Sequence, residues 1–130
     1  MKLLLDTQAF IWFVENDRYL PHKVKNAIEM PQNTIIISIA SLWEMTIKIS
    51  IGKLKLNFRL EEMFEQISNN GFTLLPILPK HLIQLSTLPM YHNDPFDRLI
   101  IAQAKSENMP VVTSDDKFSE YSITRIWKNI

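Results

Sequence analysis

Four acidic residues, spread over the whole chain, stand where a strand-like segment ends or a helix begins. Asp6 and Asp115 follow apolar segments, and Glu44 and Asp97 lie near the starts of predicted helices. Ligands of open α/β sheets bind beyond the carboxyl ends of the strands, so these positions would converge. Several negative charges around one point are costly unless a cation lies among them. The pattern predicts a metal site formed by Asp6, Glu44, Asp97 and Asp115.

The types of donor atom indicate the kind of ion. The chain has no cysteine, and its three histidines, His22, His81 and His92, are scattered. Carboxylate oxygens without thiolates or closely spaced histidines favour a hard cation, Mg²⁺ or Mn²⁺, over zinc. Such an ion can orient a water molecule, lower its pKa and stabilise a leaving oxygen. Nothing indicates a Ser-His-Asp arrangement, and we expect His92 to be an exposed loop residue.

Three of the acids also have ordinary structural explanations. Asp6 could cap the following helix, Asp115 could belong to a turn, and Asp97 could be favoured by its helix dipole. Apolar residues one turn after Asp97 nevertheless predict that its side chain points inward. Asp94 is expected to cap the same helix from a position close to the site, and Arg98 can pair with Asp94 at i,i+4.

Glu44 has two structural alternatives to a ligand role. Ser41 and Glu44 match a capping box, but Ser38 is an equally good cap and would place Glu44 beyond the first turn, on an apolar face. A carboxylate on such a face needs a partner. Lys48, one turn later, could supply it as an ion pair, and this alternative stays open.

The composition gives no global reason to expect nucleic-acid binding. Fourteen basic and fourteen acidic residues give a formal net charge of zero, so phosphate binding would need a local patch or a metal. One basic cluster follows the Glu44 helix: Lys48, Lys53, Lys55 and Arg59. Such a run is usually a solvated face and less often a phosphate track. With only Gly52 and Gly71, a dinucleotide fingerprint and a phosphate-cradling loop are excluded.

The length of the chain and its alternating elements predict one α/β domain over residues 1–130, with helices on both faces of a mainly parallel sheet. The predicted strands are Lys2–Leu5, Thr34–Ile39, Phe72–Leu75, Val111–Thr113 and Thr124–Trp127. The predicted helices are Gln8–Val14, a short one after Pro21, Ala40–Ile51, Leu60–Ile67, Pro79–Leu88 and Asp94–Glu107. No apolar run could span a bilayer, no secretion signal is apparent, and the absence of cysteine fits a reducing compartment, so we expect a cytoplasmic protein.

The segments that contain the acids resemble those of PIN-domain ribonucleases, and most closely the VapC-type toxins of toxin–antitoxin pairs. They occur in the family's order: Leu3–Thr7, Ser38–Glu44, His92–Ala104 and Val111–Asp115. The Asp-Pro-Phe-Asp-Arg sequence at 94–98, before an apolar helix, is the most distinctive. One departure is Gln8, where close relatives often have His, and it concerns substrate contacts and not the metal site.

The resemblance implies a three-layer α/β/α sandwich and Mg²⁺- or Mn²⁺-dependent endonucleolytic hydrolysis of RNA, without a covalent intermediate. The acids that match the family's metal ligands are Asp6, Glu44, Asp97 and Asp115. Residues expected to lie beside these ligands are Thr113, which matches a polar residue of the family, Asp94 and Thr7.

The resemblance also implies inhibition by a small cognate antitoxin protein and assembly as a homodimer or higher oligomer, with no membrane partner. Two alternatives remain. One is a housekeeping RNA-processing or repair nuclease on the same fold. The other is a degenerate PIN domain that acts only through protein contacts, and the intact acids argue against it.

Overall fold

A five-stranded parallel sheet forms the centre of the protein. The computed structural model describes residues 1–130. The strands are β1 (Lys2–Leu5), β2 (Thr34–Ser38), β3 (Thr73–Leu75), β4 (Val111–Val112) and β5 (Arg125–Ile126). Their order across the sheet is β3-β2-β1-β4-β5, and every neighbouring pair is parallel. The predicted α/β class with a parallel sheet is confirmed.

Helices cover both faces of the sheet. They are α1 (Thr7–Val14), α2 (His22–Glu29), α3 (Ile39–Ser50), α4 (Leu60–Asn69), α5 (Pro79–Ser86) and α6 (Pro95–Glu107). Because side chains alternate along a strand, Leu3 and Leu5 pack with α1, α2 and α4, whereas Leu4 packs on the other face with α6. These two cores give the predicted three-layer α/β/α sandwich. No helix has both the length and the apolar character needed to cross a membrane.

The ends of the elements differ from the predicted ones by one or two residues because local capping decides them. Strand β2 ends at Ser38, whose hydroxyl oxygen accepts a hydrogen bond from the Ala40 N–H at 2.9 Å and so begins α3. Helix α6 ends at Asn108, which has a φ of 54° in the left-handed region. The sequence pattern did not predict the short 3₁₀ helix Asp116–Glu120.

A buried polar contact links the sheet to the second helical layer. The Ser38 hydroxyl donates a hydrogen bond to Oε1 of Gln103, and neither residue has any exposed surface. The amide nitrogen of Gln103 donates to the carbonyl of Pro76 at 3.2 Å. Since a buried polar group without a partner is costly, these bonds hold α6 against the carboxyl end of β2. The helices that contain Glu44 and Asp97 are therefore fixed relative to each other.

The sheet order predicts very different effects for one substitution at two strand positions. Leu4 lies in the central strand and is fully buried, whereas Leu74 lies in edge strand β3 with 42% of its surface exposed. We expect Leu4→Ala to lower the free energy of unfolding by about 2–5 kcal/mol and Leu74→Ala by less than about 1 kcal/mol. Denaturant-induced unfolding of both variants provides the measurement. Equal losses would contradict the central position of β1.

Candidate metal centre

The reversal of the sheet at β1 brings several strand ends together. From β1 the chain continues to β2 and β3, which lie on one side of β1 within the sheet. It then crosses to β4, which pairs with the other side of β1. Ligands of open α/β sheets bind in the crevice beyond the carboxyl ends of the strands at such a reversal. Asp6 follows β1, Asp115 follows β4 at this crevice, and α3 and α6 begin close by.

One pocket at this edge of the sheet is lined by all four predicted ligands. Asp6, Glu44, Asp97 and Asp115 line it together with Asp94, so that five carboxyl groups from four separate segments share one space. Asp6 and Glu44 are each only 6% exposed, and Asp97 and Asp115 are partly buried. The structure therefore brings together every acid that the sequence singled out.

The environment of the pocket disfavours the charged forms of two of these acids. Burial is the largest cause that raises the pKa of Asp6 from 3.8 to about 6, and hydrogen bonds partly oppose it. Burial, and then the negative charges of the neighbouring acids, raise the pKa of Asp97 from 3.8 to about 8. A carboxyl group among other carboxylates retains its proton more strongly, and a nearby cation reverses this effect.

Two threonine hydroxyls orient the most buried acids. Thr113 donates a hydrogen bond to Oδ2 of Asp6 at 2.6 Å, and Thr7 donates to Oε1 of Glu44 at 2.6 Å. Because a hydroxyl has one proton, Thr7 accepts from the Ser41 hydroxyl, which lies 2.9 Å away. Each bonded carboxylate oxygen keeps a second lone pair for another partner. Thr113 and Thr7 thus lie beside the acids.

The capping explanations and the shared pocket are compatible. Oδ1 of Asp6, Asp94 and Asp115 each accepts a backbone N–H of the helix that follows, at 2.8, 2.9 and 2.9 Å. All three side chains nevertheless line the pocket. The capping box of Ser41 with Glu44 is wrong, because Ser38 caps α3. One carboxylate oxygen can therefore anchor the backbone while the other remains available to the site.

His92 corrects one expectation from the sequence. The prediction that His92 is an exposed loop residue is wrong, because only 7% of its surface is exposed. Its Nε2 lies 2.8 Å from Oδ2 of Asp115 and 3.1 Å from Oδ2 of Asp97. These three side chains are close enough to surround one ion. His92 was missed because its neighbours in sequence are polar, whereas its neighbours in space include the ring of Phe118.

The hydrogen bonds of His92 decide its chemical role. Its Nδ1 accepts the backbone N–H of Asp94 at 3.1 Å, so Nδ1 has no proton and Nε2 carries it. The Nε2–H then donates to Asp115, with Asp97 alongside. A protonated ring nitrogen cannot bind a metal. In this arrangement His92 therefore acts as a donor that holds two carboxylates together.

Two residues outside the pocket fix the loop that contains His92. The expected pair of Arg98 with Asp94 is wrong, because the Arg98 guanidinium donates instead to loop carbonyls, including that of Pro89 at 2.9 Å. The Tyr121 hydroxyl accepts the backbone N–H of His92 at 2.9 Å and donates to the Pro89 carbonyl at 2.8 Å. Sequence reasoning missed both roles because their partners are backbone groups of a loop.

Lys48 is the one basic residue that lines the pocket. Its ammonium group forms an ion pair with Oε2 of Glu44, as the structural alternative for Glu44 proposed. The other members of the basic cluster do not line the pocket, and Arg59 pairs with Glu61 and Glu62. Glu44 thus lies in the acidic pocket and in an ion pair at once.

The donor set of the pocket fits a hard divalent cation. Its acidic ligand candidates offer only carboxylate oxygens, which Mg²⁺ and Mn²⁺ prefer. Burial and the neighbouring acids raise the pKa values of Asp6 and Asp97, and a bound cation would favour their ionised forms. The residues present therefore suit the ion that the sequence suggested.

The fold resembles several solved toxin–antitoxin structures. The first is VapBC2 from Rickettsia felis bound to a promoter DNA fragment, with 19% identity, a TM-score of 0.75 and coverage of 97% of this chain and 98% of the other. DNA-bound VapBC from Salmonella typhimurium has 19% identity, a TM-score of 0.72 and 97% coverage of both chains. VapBC-5 from Mycobacterium tuberculosis has 19% identity, a TM-score of 0.63 and coverage of 96% and 98%. At this identity the likeness concerns the fold alone.

The sequence itself matches one protein family over most of its length. A comparison with curated proteins found no match. The family model of the PIN domain, in contrast, matches residues 3–123, which contain every acid of the pocket. The chain belongs to the PIN domain family.

Proposed function

We propose that this protein is a metal-dependent endoribonuclease that hydrolyses RNA phosphodiester bonds. The observation that carries the proposal is the convergence of five carboxyl groups in one pocket, two of them with strongly raised pKa values. Such an arrangement is unfavourable by itself and becomes favourable around a divalent cation. Membership of the PIN domain family supports the same activity.

Four of the acids would hold Mg²⁺ or Mn²⁺: Asp6, Glu44, Asp97 and Asp115. When bound, the cation supplies a Lewis acid that polarises a phosphate oxygen and makes a neighbouring water more acidic. Thr113 and Thr7 keep Asp6 and Glu44 in place, and Asp94 holds the start of α6.

The hydrogen bonds of the two threonines beside the acids favour water as the nucleophile. The chain has no cysteine. The hydroxyl of Thr7 is occupied by Glu44, and that of Thr113 by Asp6. Neither threonine therefore offers a free oxygen for a covalent step. Ser114 also lines the pocket, but no histidine or lysine is bonded to its hydroxyl to activate it, and we expect direct attack of water.

In the cell, this protein would be the toxin of a toxin–antitoxin pair. The three structural relatives described above are VapBC complexes, and this chain spans nearly the whole length of each matched chain. Its partner would be a small cognate antitoxin, and residues 1–130 would act as a single PIN domain in a homodimer or higher oligomer. Single-stranded RNA is the proposed substrate.

The two acids at the start of α6 are expected to behave differently. Asp94 caps the helix, so Asp94→Ala should lower the free energy of unfolding by about 1 kcal/mol and keep substantial activity. Asp97→Asn should keep the fold but reduce Mn²⁺-dependent RNA cleavage on the order of a hundredfold or more, because an amide gives the cation no charge. Denaturant unfolding and cleavage of single-stranded RNA should be measured on both variants. An active Asp97→Asn beside an inactive, fully stable Asp94→Ala would overturn this assignment.

The stability of the metal-free protein should fall as pH rises. The folded pKa values of Asp6 and Asp97, about 6 and about 8, lie above the ordinary 3.8. The stability that their neutral forms provide is complete below the unfolded value and is lost as pH rises through the folded values. From about pH 5 to about pH 8, Asp97 should account for roughly 1–2 kcal/mol of this loss, after discounting for partial exposure.

Denaturant unfolding with a chelator should therefore show a weaker pH dependence for Asp97→Asn than for the wild type. Asp116→Asn is the matched control, since the Asp116 side chain is 94% exposed and should leave the slope unchanged. Saturating Mn²⁺ should flatten the wild-type slope, because a bound cation favours the ionised acids. Equal slopes for the wild type and Asp97→Asn would show that Asp97 is not crowded by charge.

The toxin assignment predicts growth arrest on overexpression without a partner. Asp6→Ala should abolish the arrest, while Asp116→Ala at equal expression should preserve it. Co-expression of a small neighbouring open reading frame should restore growth. Normal growth at confirmed high expression of the wild type would instead favour a housekeeping nuclease.

A further inference from the structure

The pocket of acids already contains one positive charge from the chain itself. Lys48 pairs with Oε2 of Glu44, and both residues line the pocket with Asp94 and Asp97. The Lys48 side chain is 36% exposed, whereas that of Glu44 is 8% exposed. The carboxylate is therefore fixed within the protein, while the ammonium group lies at the boundary with solvent.

Three of the carboxylates in the pocket act on this ammonium group. The bond to Glu44 is the largest cause that raises the pKa of Lys48, and the charges of Glu44, Asp94 and Asp97 add to it. An exposed i,i+4 pair on an ordinary helix would contribute little to stability. Here the same pair lies among five carboxyl groups, where one positive charge affects the binding of any other cation.

We propose that Lys48 is the resident counter-ion of the site: it holds Glu44 in the metal-free protein, is displaced from Glu44 when a divalent cation binds, and then contacts a phosphate oxygen of the substrate. This inference rests on the proposed function, because it concerns the same pocket and the same RNA substrate. It gives Lys48 a role in substrate binding and in metal affinity that the ion pair alone does not imply.

The hydrogen bonds of Glu44 imply that Lys48 and a divalent cation compete for its carboxylate. Thr7 donates to Oε1 and Lys48 donates to Oε2, so a cation that binds Glu44 must approach a carboxylate that already has a charged partner. Two positive charges on one carboxylate repel each other strongly at contact distance. The buried Glu44 cannot move away, but the flexible, partly exposed stem of Lys48 can.

The position of Lys48 also suits contact with a phosphate oxygen of the substrate. It lies on α3 one turn after Glu44, at the exposed side of the pocket. An ammonium group released there remains beside the cation-bound acids. It then lies at the open side of the pocket, where a substrate would enter. An RNA phosphate is the anion that the proposed reaction brings to this place, and lysine binds phosphate as a point charge.

The affinity for Mn²⁺ alone, measured by isothermal titration calorimetry, tests the competition without any catalytic readout. Lys48→Met should bind Mn²⁺ on the order of tenfold more tightly, since it removes a competing positive charge. Lys48→Arg should stay close to the wild type. Lys53→Met is the matched control, because it removes the same charge outside the pocket, and its affinity should stay within about twofold of wild type.

Cleavage of single-stranded RNA at saturating Mn²⁺ tests the substrate contact. Lys48→Met should raise KM on the order of tenfold and change kcat less, because the lost contact is to a phosphate and not to the reacting water. Lys48→Arg should restore most of this KM. A purely structural ion pair would lower stability without this split between KM and kcat.

The outcomes separate this inference from the proposed function. Unchanged or weaker Mn²⁺ binding by Lys48→Met in a nuclease-active protein would overturn the inference alone. A wild type that binds Mn²⁺ but cleaves no RNA would overturn the proposed function, and the affinity of Lys48→Met would still test the competition. If Lys48→Met fails to fold, Lys48→Gln retains most of the side-chain stem and should show the same tighter Mn²⁺ binding.

Discussion

Five carboxyl groups share one pocket at the carboxyl edge of the sheet, and the surrounding structure must offset their mutual repulsion. Burial makes the problem larger, because charge in a low-dielectric pocket is less well screened than in water. Burial first, and then the negative charges of the neighbouring acids, raise the pKa values of Asp6 and Asp97. A site of this kind is prepared for a cation before the cation arrives.

Most of the acids are held by a donor from a distant part of the chain. Thr113, which follows β4, donates to Asp6, which follows β1, and Thr7 of α1 donates to Glu44 of α3. His92, from the loop before α6, donates to Asp115. These bonds join segments far apart in sequence, so the geometry of the pocket depends on the complete fold. The Ser38–Gln103 contact adds a second tie between the layers that contain Glu44 and Asp97.

Much of this arrangement was visible in the sequence. Strands alternating with helices predicted a parallel sheet, and the acids at the strand ends predicted a polar edge. The Asp-Pro start of α6 and the serine before α3 indicated the observed caps, which depend on the nearest residues. The four acids were chosen because a parallel sheet places its strand ends along one edge.

Apart from Lys48, which the i,i+4 spacing to Glu44 had already suggested, the tertiary structure decided which partners surround those acids. His92 looked like a loop residue, yet the packing of Phe118 and the hydroxyl of Tyr121 bring its ring to Asp115. The spacing of Arg98 suggested an ion pair with Asp94, but the Arg98 guanidinium donates hydrogen bonds to loop carbonyls instead. The sequence by itself determined the sheet and the acids at its edge, because these follow from local periodicity and capping. The burial of the acids and the tautomer of His92 depend on groups that only folding brings within bonding distance.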